Sequence, residues 1–134
     1  MQRAHTQAPR PHWRFAIAIT AFVFGAVTIK SGGSVLFIDG ADRAAAGAYV
    51  PFVLWFNFGA GFTYLAAAIG IFLWKSWAAP LAMVIAVATL SVFLTFGIHI
   101  VMGGAFELRT VYAMTLRSFM WLTFAVLLIR AKPG

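Results

Sequence analysis

Long apolar runs separated by short polar breaks dominate this chain. A bilayer-spanning helix needs about 20 mostly apolar residues, and four segments meet that length: residues 13–37, 51–74, 80–102 and 111–129. The pattern predicts an all-α integral membrane bundle of four transmembrane helices, forming a single transmembrane domain over residues 1–134. The first run is interrupted by Lys30 and the Ser31-Gly32-Gly33-Ser34 stretch. Pro51 and Pro80 stand at the expected starts of the second and third spans, where a missing backbone N–H costs little. Gly103-Gly104 follows the third span, as glycine commonly ends helices.

Residue size along the spans predicts which faces meet. In the second span, Gly59, Thr63, Ala66 and Gly70 share one face, where small side chains permit close helix approach. A second stripe, Asn57, Gly61, Tyr64 and Ala68, lies roughly opposite, with Phe58, Phe62, Leu65, Ile69 and Phe72 between them on a bulky side suited to lipid. The second span is therefore expected to have neighbours on two sides. In the third span, Ala88, Ser91, Thr95 and His99 form a polar side expected to face the bundle, away from Leu90, Leu94 and Val101. The fourth span places Ala113, Arg117, Trp121, Phe124 and Leu128 together.

Composition agrees with the hydropathy pattern. Of the 134 residues, 63% are hydrophobic and 10% charged, against about 25% charged in a typical soluble domain. Too few charges are present to cover a water-facing surface. Cysteine is absent, which excludes disulfides and thiolate chemistry. The net charge of +7 is not arranged as a basic stripe with interleaved aromatics, so nucleic acid is not an expected partner.

The charges report topology instead. Arg3, Arg10, Arg14, Lys75, Arg130 and Lys132 share one flank, whereas Asp39, Asp42, Arg43, Glu107 and Arg109 nearly cancel on the other. The positive-inside rule then places both termini in the cytoplasm, in a plasma membrane of the bacterial inner-membrane type. Trp13, Trp74 and Trp77 are expected in the cytoplasmic interfacial belt. The basic N-terminus and the run that follows resemble a signal peptide. No small-x-small cleavage pattern follows that run, so an uncleaved first span is expected.

Alternating helix direction brings polar residues from all four spans to a similar depth near the outer surface: Lys30, Asn57, His99 and Arg117, with Glu107 and Arg109 just above. A charge in a membrane helix costs about 2.5–3.5 kcal/mol at the bilayer centre by insertion scales. Lys30 can extend its stem to the head groups, whereas Arg117 has apolar neighbours and needs an anion, water or a lipid phosphate. Two arrangements satisfy these residues. One is an internal clamp, with Glu107 paired to Arg117 or Arg109 and His99 bonded to Asn57 or a carbonyl. The other is an outward-facing cationic pocket for an anionic or polar head group. Lys30, Arg109 and Arg117 outnumber Glu107, which favours the pocket.

Other chemistries lack their residues. His99 is the one histidine inside a span, because His5 and His12 belong to the N-terminal arm; two axial haem ligands are not present. No metal site, phosphate loop, dinucleotide fingerprint or nucleophile elbow is found, and no cofactor is expected. The Asp39-Gly40-Ala41-Asp42 segment falls short of a calcium loop. No span carries an interior Asp or Glu, unlike the expectation for a proton-coupled four-helix exporter.

Gly61, Gly70, Lys75 in a short basic turn, and Ala78-Ala79 opening the next span, together with Gly25 followed by Lys30, resemble the DoxX-like family of small four-helix membrane proteins. The resemblance covers about the first two-thirds of the chain and implies association with membrane oxidoreductases, including a quinone-linked thiosulfate-oxidising system. Family members commonly carry an acidic residue near the start of the second span, where this chain has Asn57, a departure that weakens the transfer of a redox or proton-handling role. The leading expectation is a non-catalytic accessory subunit or ligand-binding bundle. Its expected partners are the bilayer and either another membrane protein or the head group of an anionic lipid or quinone. The alternatives are a quinone-interacting oxidoreductase subunit, with His99 at the quinone carbonyl, and a small-solute transporter.

Overall fold

The computed structural model describes residues 10–38 and 40–134, the side chains of residues 42 and 43 excepted. Arg3, His5 and Asp39 lie outside the described residues. Five helices follow one another: α1 (Trp13–Phe37), α2 (Ala41–Ala46), α3 (Pro51–Phe72), α4 (Ala78–Val101) and α5 (Leu108–Ala131). No strand occurs among the described residues. All except α2 are long and apolar enough to cross a membrane. At about 1.5 Å per residue each exceeds the roughly 30 Å hydrocarbon layer. The chain is thus a small multi-pass membrane protein with an all-α fold.

The helix ends differ from the hydropathy reading for local reasons. α3 stops at Phe72 because Trp74 turns into the left-handed region, with φ 57°. There the Trp74 N–H donates to Ile71 O and the Lys75 N–H donates to Gly70 O at 2.8 Å, a paired closure of the last turn. A left-handed bulky residue costs about 1–2 kcal/mol. Burial of the Trp74 ring, edge-on to Trp13 at 5.6 Å, offsets that cost. Trp74 is therefore a core residue, packed edge-on against the more exposed Trp13. α4 begins at Ala78, so Pro80 occupies its third position, still within the turn whose N–H groups lack helical acceptors. α2 is too short for a hydropathy pattern to reveal it.

The helices associate as two pairs. α1 packs extensively on α3, and α4 on α5, while a smaller α3–α4 contact joins them. The α1–α3 contact is closest at two glycines. A Cβ on Gly25 would lie 2.8 Å from the Gly61 carbonyl oxygen, and one on Gly61 would lie 2.7 Å from Ile29 Cγ1. Asn57, Gly61, Tyr64 and Ala68 are all buried, so this stripe is the packing face of α3. The other stripe is only loosely covered: Gly59 and Ala66 are exposed, and Gly70 alone is tightly packed, beneath the Trp77 ring.

α4 also turns differently from expectation. Its buried face carries Ala82, Ile85, Ala86, Thr89 and Phe96, whereas Ser91 and Thr95 are exposed. Their hydroxyls donate to Val87 O at 2.8 Å and Ser91 O at 2.9 Å. A hydroxyl satisfied by its own helix needs no partner helix, which is why this polar side is free to face outward. On α5, Trp121, Phe124 and Leu128 are buried and Ala113 and Arg117 half-buried.

Candidate functional site

Arg117, Thr28 and Asn57 reach one level from three helices. Arg117 lies nine residues into α5, Thr28 nine before the end of α1, and Asn57 six into α3. These offsets place them about 9–14 Å below the α2 end of the bundle. Here α1, α3 and α5 enclose a cavity of about 440 Å³, lined by Thr28, Ser31, Asn57 and Arg117 among apolar side chains such as Phe24 and Leu54. That volume lies within the range of about 300–1,000 Å³ typical of small-ligand sites.

Arg117 Nη2 donates to Thr28 Oγ1 at 3.1 Å, bridging α5 and α1. Its guanidinium carbon lies 5.8 Å from the Phe24 ring centroid, within cation–π reach. Arg117 Nε and Asn57 Oδ1 are buried without a hydrogen-bond partner. A guanidinium offers five N–H donors and stays charged under all ordinary conditions. In a largely apolar chamber, such a group is strongly stabilised by an anion or a set of oxygen acceptors.

The remaining polar residues are organised separately. Glu107 Oε1 accepts from the Ala48 N–H at 2.8 Å, and Arg109 Nη2 donates to Ala45 O. Together they tie the start of α5 to the loop around α2. His99 Nε2 donates to Ala105 O at 2.9 Å, closing its own loop, with its ring 6.0 Å from Phe52 and 6.4 Å from Phe96. Lys30 stands on the exposed surface of α1. Among the six residues singled out in the sequence, Arg117 and Asn57 share the cavity. Glu107, Arg109 and His99 join the loops, and Lys30 belongs to neither group.

Thr28 and Ser31 were not singled out. Thr28 lies on a buried stripe of α1, Ala18, Ala21, Gly25, Thr28 and Gly32. Its helical spacing and small side chains were the available signal. Deeper in the bundle, Tyr64 OH, Thr89 Oγ1 and Trp121 Nε1 are also buried without partners. Tyr64 and Trp121 lie with ring centroids 4.9 Å apart.

The loop clamp yields a direct prediction. Gly47 has φ 64° and ψ −132°, a conformation that disfavours any side chain, and its added Cβ would fall 2.2 Å from Glu107 Oε1. Gly47→Ala is expected to lower stability by on the order of 2 kcal/mol through backbone strain and displacement of the carboxylate. Glu107→Gln, which retains an acceptor for the Ala48 N–H, should cost less. Thermal unfolding of the two variants in detergent checks the order.

Comparison with protein-family models, curated proteins and solved structures finds no match to this chain.

Proposed function

We propose that this protein is a non-catalytic ligand-binding bundle or accessory subunit of a bacterial inner membrane, in which Arg117 recognises a negatively charged or strongly polar group. With the basic flank on the cytoplasmic side, the cavity lies in the outer half of the bilayer. The observation that carries this reading is the state of the guanidinium. It has one side-chain partner, Thr28, while Nε remains buried and unpaired beside an apolar wall. Glu107, the nearest acid in sequence, accepts from the Ala48 backbone instead.

The resemblance to DoxX-like proteins fits a scaffold or accessory role. Gly25 and Gly61, two of the residues that carry it, meet at the α1–α3 contact and act in packing. A role for His99 at a quinone carbonyl is less well supported, because that ring bonds Ala105 and lies outside the cavity lining.

Arg117→Gln removes the charge and retains an amide. A charged hydrogen bond contributes about 1.5–3 kcal/mol, equivalent to roughly a 10- to 150-fold change in affinity. Mass spectrometry of molecules copurifying in a neutral detergent should show one anionic or polar species depleted by at least tenfold in Arg117→Gln and retained in Arg117→Lys. Equal amounts in all three proteins, with unchanged size-exclusion profiles, would refute the proposal.

A further inference from the structure

We propose that the group recognised by Arg117 belongs to an amphiphile already dissolved in the membrane. It carries one negative charge, on carboxylate or phosphate oxygens at the end of an acyl chain, and passes sideways into the cavity between α1 and α5. This rests on the reading of the cavity as a binding site and adds the ligand class and its route.

The route follows from the walls. Among the described residues, every one that lines the cavity belongs to α1, α3 or α5. The loop before α5 is instead fastened to the loop after α2 by Glu107 with Ala48, and the first turn of α5 to α2 by Arg109 with Ala45. At the side, Val23, Val27 and Leu116 line the cavity while remaining 52%, 56% and 55% exposed. They form its mouth, and in a bilayer such exposure faces acyl chains. The helices on either side of the mouth have their extensive contacts elsewhere, α1 with α3 and α5 with α4. Across the slot, the Arg117–Thr28 hydrogen bond is the polar link. A chain can occupy the slot beside it without breaking a packed helix interface.

Charge and depth define the head group. Among the described residues, Arg117 is the one ionisable residue in the lining, so a single negative charge is matched. Thr28, Ser31 and Asn57 supply neutral polar atoms for the remaining oxygens. α5 is about 36 Å long against roughly 30 Å of hydrocarbon, which puts Arg117 about 10 Å inside the hydrocarbon boundary when the helix is centred. A hydrated solute would have to shed its water and cross that layer. An amphiphile brings its head to the guanidinium and leaves its tail among Val23, Val27 and Leu116, in lipid throughout.

The test uses the full chain in a neutral maltoside detergent with four probes: palmitate, phosphatidylglycerol, inorganic phosphate and a neutral ubiquinone analogue. Two variants separate head from tail: Arg117→Gln removes the charge, and Ala113→Trp, on the cavity wall three residues before Leu116, narrows the slot while keeping the charge. Palmitate or phosphatidylglycerol is expected to bind, and to weaken at least tenfold in both variants; which of the two binds better identifies the source. Inorganic phosphate should neither bind nor compete at millimolar concentration. Phosphate binding that is lost in Arg117→Gln but indifferent to Ala113→Trp would overturn the amphiphile and leave the cationic site standing. Ubiquinone binding that survives Arg117→Gln would overturn the charge requirement. If no probe binds to a protein with a native size-exclusion profile, both readings fall. Should Arg117→Gln fail to fold, Arg117→Lys with Ala113→Trp carries the test, since the amphiphile must survive the first and be lost in the second.

Discussion

Trp121→Ala is expected to cost about 3–5 kcal/mol, the largest loss from any single truncation in the bundle. Trp121 is 0% exposed, and its ring lies 4.9 Å from that of Tyr64 and 5.3 Å from that of Phe124. Transfer from water contributes little here, because lipid is as apolar as the helix interface. What disappears is the large set of van der Waals contacts around an indole packed against Tyr64 of α3 and Phe124 of its own helix, and the residue left behind cannot fill the space. The measurement is the midpoint of unfolding as sodium dodecyl sulfate is titrated into maltoside micelles, followed by circular dichroism. Trp121→Phe should recover more than half of the loss by restoring a ring. A cost for Trp121→Ala below about 1 kcal/mol would mean that the indole is not packed as described.

Gly25→Leu is the second large effect, expected at or above the upper end of the roughly 1–3 kcal/mol typical of overpacking. The first carbon of any side chain at this position would lie 2.8 Å from the Gly61 carbonyl oxygen, 3.0 Å from Leu65 Cδ2 and 3.1 Å from Tyr64 Cβ. Backbone cannot yield as a flexible side chain can, so α1 must move away from α3. Gly59→Ala and Gly97→Ala provide the contrast, since nothing lies within 4 Å of a Cβ at either site. Alanine there should be neutral or stabilising by up to about 1 kcal/mol through helix propensity. The same detergent titration checks all three, and a Gly59→Ala loss as large as that of Gly25→Leu would contradict the assigned packing face.

That contrast also marks what could be read from the chain before its structure was known. The spans were legible because hydropathy depends on length and composition, which survive any rotation of a helix. The faces were harder. Both stripes of α3 contain small residues at helical spacing, and size alone does not choose between Gly59 and Gly61. The choice is made by the matching stripe on α1, where Gly25 meets Gly61. Ser91 and Thr95 misled for a different reason: their hydroxyls bond one turn back along α4, so polarity did not require an inward face.

The candidate site divides along the same line. Counting residues from helix ends estimates height, and Arg117 and Asn57, grouped in that way, line one cavity. Height says nothing about direction around each helix, and Lys30 and His99 do not line the cavity. Glu107 and Arg109 were legible as polar residues above the layer. Their use as a fastening to the α2 loop depends on α2 itself, whose six residues left no periodic trace.

The pairing of helices also has a consequence for assembly. α1 and α3 are neighbours early in the chain, and α4 and α5 follow as the second pair. The first pair can therefore lock together in the translocon's vicinity while the second is still being synthesised. The chamber around Arg117, by contrast, is walled by helices from opposite ends of that order. It cannot take shape until α5 has been inserted beside α1, so the order of synthesis makes this chamber the final feature the bundle acquires.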